Sequence, residues 1–213
     1  MLKTSAMPGS PTLALAPTPT VLGAGAPRFQ TRVARSERER AEYFALRRAI
    51  FCDEQRLFAG DDRDACDGAA IPVVCVAEGV GAQARVVGVV RIWEESPGDW
   101  WGGRLGVDPA YRTVGAVGRW LVQIAVGTAR AWGAHRFRAT VQRANVAFFR
   151  RLRWQTREEL ELFGQPHHLM EADLACFAPT AEIRPSPSLS MAAPSSPVAS
   201  ATSDPLGACD DAA

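Results

Sequence analysis

Leu105-Gly-Val-Asp-Pro-Ala-Tyr-Arg112-Thr-Val-Gly115-Ala-Val-Gly118-Arg-Trp-Leu121 is the stretch on which the reading of this chain turns. An apolar strand runs into a Pro/Gly turn, and the turn opens an amphipathic helix. The first amides of such a helix have no partner within it and point outward. With the positive end of the helix dipole behind them, they suit a phosphate or diphosphate. Arg112 and Arg119 flank the turn and can add charge-assisted contacts. An ordinary strand-to-helix turn has the same glycine spacing, and short Gly motifs recur by chance. Two nucleotide readings fall away. The chain has no Gly-Lys-Ser or Gly-Lys-Thr for an ATP loop. It also lacks a Gly-x-Gly-x-x-Gly followed by an acid about 20 residues later, as a dinucleotide fold wants.

Working outward, Asp99 to Asp108 is the strand that feeds the turn, and Val117 to Trp132 is the helix beyond it. That helix carries Val117, Trp120, Leu121, Ile124, Ala125 and Thr128 on one stripe and stops at Gly133. Ahead of the turn, Ile71 to Glu78 and Ala84 to Trp93 are two β-prone runs around Gly79 and Gly81, hence a hairpin. Phe29 to Ala34 is a short strand. Ser36 with Glu39 forms a capping box that starts a helix running to Gln55, with Tyr43, Leu46, Ile50 and Phe51 as its apolar face. Arg47 sits among these, half-buried, and a buried cation needs an acid partner. The loop 57–70 offers Asp61, Asp62, Asp64 and Asp67, at least one of which is expected to fold back onto Arg47; the others read as a solvated acidic loop. It is not a calcium loop of the twelve-residue kind. After the central helix come a strand from His135 to Gln142, a helix from Asn145 to Arg153, and strands at Trp154 to Leu162 and His168 to Ala175. The order β-α-β-β-β-α-β-α-β-β is that of a mixed α+β sheet.

Composition bounds the function classes. At 213 residues, 47% apolar and 22% charged, the chain has room for one sizeable core. Residues 1–28 and 178–213 are Pro/Ala/Ser-rich tails that cannot bury enough surface to offset chain entropy. Both are expected to be disordered, leaving residues 29–177 as the folded domain. The net charge of +1 argues against a nucleic-acid partner. No run of 18 apolar residues is present, so no membrane partner is expected, and no secretory segment is legible at the N-terminus. Five scattered cysteines without a Cys-x-x-Cys read as reduced thiols of a cytoplasmic protein. The adjacent His167 and His168 are too sparse for a metal site, so no metal is expected.

The element order and the segment Val107-Asp-Pro-Ala-Tyr-Arg112-x-x-Gly115-x-x-Gly118-Arg-x-Leu121 resemble the GNAT N-acetyltransferases, whose fold is a mixed, mostly antiparallel central sheet flanked by helices. The usual form of that family's acetyl-CoA loop is Arg-x-x-Gly-x-Gly. This chain is one residue longer there, with Val117 where Gly or Ala is usual. A second stretch, Val141-Gln-Arg-Ala-Asn145-x-x-Phe148-Phe149-x-x-Leu152-x-Trp154, resembles the family's strand and helix beside the pantetheine and thiol. Many relatives place at position 149 a Tyr that protonates the departing thiolate; Phe149 has no such proton. Arg150, Arg151 and Arg153 suit the adenosine 3′-phosphate or form a solvated basic face. Arg47-x-x-x-Phe51-x-x-Glu54, the Asp61/Asp64/Asp67 loop, the run ending at Arg91 and Arg104-Leu-Gly-Val107 resemble the acyl-homoserine-lactone synthase branch, except that Trp101 stands where that branch has Glu. Taken whole, the core is most similar to GNAT proteins encoded beside nitrilases in bacterial nitrogen-starvation clusters.

The resemblance implies acetyl transfer from acetyl-CoA, as cosubstrate, to the amine of a small molecule, by a monomer or homodimer. Leu105, Gly106, Val107, Arg112, Thr113, Val114, Gly115, Ala116, Val117, Gly118, Arg119, Asn145, Phe148 and Phe149 would bind the cosubstrate. Backbone amides of Leu105 to Val107 would polarise the thioester carbonyl. Glu54, Glu94 and Asn145 are the catalytic candidates; Glu54, Glu94 and also Glu95 could take the amine proton, and His167 or His168 could do so instead. Arg47, Asp61, Asp64, Asp67, Arg91 and Arg104 form a network that is either structural or substrate-binding. Two other readings stay open: a lactone-signal synthase using a longer acyl donor, and a CoA-binding regulatory module without turnover.

Overall fold

The computed structural model describes residues 27–79, 83–162, 164–182 and 184; Gly81, Cys209 and most of both expected tails lie outside these. Seven strands form one sheet in the order β1-β2-β3-β4-β5-β7-β6. They are β1 Arg28–Val33, β2 Ile71–Glu78, β3 Arg85–Ser96, β4 Asp99–Val107, β5 Arg136–Gln142, β6 Trp154–Leu162 and β7 Gln165–Ala172. Every pairing is antiparallel except β4 with β5. The expected α+β order is therefore observed, with strand ends shifted by a few residues. The last strand starts earlier than expected and ends at Ala172, and Leu174–Cys176 forms a short 3-10 turn after it.

Three α-helices flank the sheet: α1 Glu37–Arg47, α2 Val117–Ala131 and α3 Val146–Arg151. Ser36 caps α1 by accepting from the Glu39 amide. Glu39 does not close the expected capping box on Ser36. Its carboxylate takes the Arg35 amide at 2.7 Å and a two-pronged pair with Arg32 of β1. The expected single helix to Gln55 divides at Arg47, beyond which Arg48–Glu54 is π-helical. The wider turn lets three successive residues, Ile50, Phe51 and Cys52, all be buried, which an α-helix with one apolar stripe does not do.

Helix α2 packs on β1 to β4 on the opposite face from α1. Its first turn is seated by Gly88 of β3, where an added Cβ would come within 2.8 Å of Val117 and Leu121. The buried surface of α2 is broader than the expected stripe and includes Val122, Val126 and Ala129. The added cover comes in part from residues 178–182, which continue past the expected domain end. Thr180 donates its amide to the Gly127 carbonyl and shares a hydroxyl hydrogen bond with Thr128, and Trp132 donates to the Glu182 carbonyl. Cys52, Cys75 and Cys176 are free thiols, whereas Cys66 is disulfide-bonded, contrary to the expectation of five reduced thiols. Among the described residues no helix is long and apolar enough to cross a membrane.

Candidate active site

The parallel pairing of β4 with β5 is short. Asp99, Trp100 and Trp101 pair with Arg136, Phe137 and Arg138, and among the described residues no further pair follows. Beyond that point the strands part and turn unpaired backbone edges to the gap. Strand β4 is also bulged here. Between the pairs Val89–Gly106 and Arg91–Gly103, one residue of β3 faces two of β4. The extra residue, Arg104, has φ +55°, a left-handed conformation costly for a side chain with a Cβ.

At the open end of the gap, β4 passes into a 3-10 turn, Pro109–Val114, capped by the Asp108 carboxylate on the Ala110 amide. Gly115 closes the turn at φ +68°, where glycine carries no Cβ penalty. Helix α2 starts two residues later, and no side chain caps it. The amides of Val117, Gly118 and Arg119 are thus the orphan donors of a helix start. Val117 itself is buried against the sheet, so the residue that departs from the family pattern serves packing. Helix α3 meets this turn: an added Cβ on Gly118 would stand 3.5 Å from the Phe148 ring and 3.9 Å from Val107. The two stretches singled out in the sequence therefore converge at one place.

Deeper in the gap, Gly102, Gly103 and Leu105 of β4, Val122 and Val126 of α2, and Phe149 enclose an apolar cavity of about 20 Å³. Phe149 stands edge-on to Trp154, with ring centres 5.0 Å apart. Asn145 opens α3 and is exposed. Tyr43 is buried beside Arg47, and Tyr111 packs on Phe29, so neither tyrosine substitutes for the proton donor that position 149 lacks.

The carboxylate candidates separate. Glu54, the last residue of the π-helical run, grips Arg112 of the loop with both oxygens, at 2.6 and 2.7 Å. That hydrogen bond, with the guanidinium charge, holds the Glu54 carboxyl below its ordinary range. Glu94 does not join the site. It lies six residues along β3 from Gly88, the partner of Val107, which is about 20 Å of extended strand. Its carboxylate instead accepts the Gly98 amide of the β3–β4 turn and pairs with Arg184, which lowers its pKa. His167 and His168 are buried strand residues, held by the Gln165 carbonyl and by Thr156 respectively.

The arginine–aspartate network is real, with one change of member. Arg47, Arg91 and Arg104 are each 0% exposed. Arg47 donates to Asp62 at 2.7 Å, to Tyr43 at 3.0 Å, to the Asp62 carbonyl at 3.1 Å, and to both oxygens of Asp67. Arg91 donates to both oxygens of Asp64 at 2.7 Å, and Arg104 joins Asp64 at 3.1 Å. The expected Asp61 is not among them. It is exposed and pairs with Arg63, while its neighbour Asp62 is buried. An irregular loop has no side-chain period to say which of two adjacent aspartates turns inward. Three guanidinium groups against three carboxylates leave no net charge to attract a substrate ion, and Asp64 already accepts from Arg91, Arg104 and the Cys66 amide. The cluster pins the 57–70 loop and the bulged strand to α1.

No functionally curated protein sequence matches this chain. Solved structures do. Escherichia coli ElaA superposes with a TM-score of 0.56 at 22% identity, over 69% of this chain and 99% of that one. An acyl-CoA N-acyltransferase from Pseudomonas aeruginosa gives 0.56 at 17% identity, over 69% and 99%. FeeM, an N-acyl amino acid synthase from uncultured soil microbes, gives 0.56 at 15% identity, over 70% and 92%. At such identities the likeness is one of fold. The sequence profile of the acetyltransferase (GNAT) family matches residues 35–153, which is more than half of the chain and takes in both convergent stretches up to Arg153. With that match over the parted strands and the uncapped helix start, the chain belongs to the GNAT acetyltransferase family and is an acyltransferase.

Proposed function

We propose that the protein transfers an acetyl group from acetyl-CoA to the amine of a small molecule. The observation that carries this is the meeting of three features at one end of the sheet: the parted β4 and β5 edges, the uncapped first turn of α2, and the Phe148–Phe149 side of α3. The amides of Val117, Gly118 and Arg119 would hold the diphosphate, with Arg119, exposed at the helix start, adding charge. The unpaired β4 edge from Leu105 to Val107 would accept the pantetheine arm and present amide donors to the thioester oxygen. In the reaction the amine nitrogen forms a bond to the acyl carbon as the carbon–sulfur bond breaks. The nitrogen gives up a proton, and the sulfur leaves as thiolate. Phe149 has no proton to supply, so the thiolate would leave unprotonated by that position.

The cavity supports an acetyl group. A water needs about 10–15 Å³ of such space, so about 20 Å³ suits a methyl or ethyl group. A lactone-synthase activity is disfavoured by Trp101 at the position of that branch's Glu. The test is thiol release from acetyl-, butyryl- and octanoyl-CoA across a panel of polyamines, amino acids and aminonitriles. Turnover with acetyl-CoA on at least one amine is expected. Turnover confined to octanoyl-CoA, or CoA binding without any turnover, would overturn the proposal in favour of a synthase or a regulatory module respectively.

A further inference from the structure

The Glu54–Arg112 pair stands between two walls of the site. Arg112 belongs to the loop that would carry the diphosphate, and Glu54 ends the helix packed over β4, where Gly106 touches Ile50. Three of the guanidinium donors are engaged: Nε with the Val107 carbonyl at 2.9 Å, and the two terminal nitrogens with Glu54. The side chains are 42% and 40% exposed, so the pair is open to exchange with solutes. A carboxylate and a phosphate both satisfy the two-pronged face of a guanidinium. A carboxylate left in place would set negative charge beside the incoming diphosphate.

We infer that Glu54 holds Arg112 until CoA binds, and that the CoA diphosphate takes Arg112 over and releases Glu54 to receive the cationic amine of the acceptor. This rests on the CoA-loop reading above. Glu54 is then a positioning residue for the acceptor whose availability depends on the cosubstrate. Glu54 is open to the acceptor only once CoA has taken Arg112. While paired with Arg112, Glu54 is a poor base and a poor amine ligand. Once released, its carboxylate returns toward its ordinary basicity.

The test is calorimetric titration of CoA into the wild type, Glu54→Gln, Arg112→Gln and the double variant at low and moderate salt. Removing the competitor should tighten CoA binding by about twofold to fivefold, the span of equilibrium constants an exposed pair carries, and the gain should shrink as salt screens it. Arg112→Gln should weaken binding, and in that background Glu54→Gln should give a smaller gain, since only bare charge repulsion is then relieved. Equal or weaker binding by Glu54→Gln, with a lowered melting temperature, would make the pair a simple strut and overturn the inference. An equal gain in both backgrounds would also overturn it, since removal of any nearby negative charge would then suffice. A wild type that does not bind CoA fails the CoA-loop reading itself, a result distinct from these.

Discussion

Substituting Met for Arg47 tests whether the buried network governs stability. Methionine fills much of the same volume and removes the guanidinium. The loss strands Asp62, 1% exposed, and Asp67, 10% exposed, against a shrunken set of cations. It also removes the partner of the Tyr43 hydroxyl, whose pKa burial has pushed up to about 12. For Asp67, burial works to raise the pKa, yet the hydrogen bond and charge of Arg47 more than offset it and hold the carboxyl low. Removing one partner of a buried pair costs about 3–5 kcal/mol. For a domain of this size each kcal/mol is worth about 2–4 °C, so the melting temperature should fall by roughly 6–20 °C. Urea unfolding followed by tryptophan fluorescence gives the free energy, and calorimetry gives the midpoint. Adding the single change Asp62→Asn to Arg47→Met should recover part of the loss, because two guanidinium groups then face two carboxylates again and the uncompensated charge is gone. Lysine at 47 should not rescue, since one ammonium cannot reproduce a fork that spans Asp62 and Asp67. A single variant within about 1 kcal/mol of wild type, below the range for an orphaned buried charge, would refute the reasoning. So would a double variant no more stable than the single.

Gly118→Asp should abolish CoA binding in a titration while leaving the melting temperature equal or slightly higher. A Cβ fits there at ordinary contact distances, and an acid in the first turn favours the helix; unchanged affinity would remove the loop from the site. Gly127→Ala should destabilise by about 1–3 kcal/mol, as overpacking does, despite alanine's better helix propensity, because its Cβ would stand 2.5 Å from the Ala178 carbonyl. Cleavage by a glutamate-specific protease after Glu182 should accelerate, and a melting temperature at or above wild type would show that residues 178–182 do not bind α2. The hydrogen bond from Arg32 holds Glu39 at about 2, below its usual 4.5. Its contribution to stability is therefore present above the usual value and is lost as pH falls toward 2. Glu39→Gln should flatten that acid limb of the stability curve, and an unchanged slope would discount the Arg32 pair.

The local pattern alone determined the order of strands and helices, the uncapped glycine turn before α2 and the partner stretch around Phe148. Each of these is written in a short range of residues, as a two-residue or helical period, a Gly at positive φ, or a stretch matching a known loop. Tertiary structure decided the rest. The gap between β4 and β5 depends on where two strands distant in sequence stop pairing, and no residue of either announces it. Asp61 and Asp62 are alike in sequence, and only the approach of Arg47 and Arg104 selects Asp62 for burial. Glu54, which follows the Arg47 face, has only a slight edge over Glu94 as a candidate acid until the sheet sets one against Arg112 and the other at its far end. The breadth of α2's buried surface likewise waited on residues 178–182, whose run of small residues and proline gives no hint of a docking face. Chemical type is a property of each residue, whereas proximity and burial belong to pairs of residues brought together only by the folded chain.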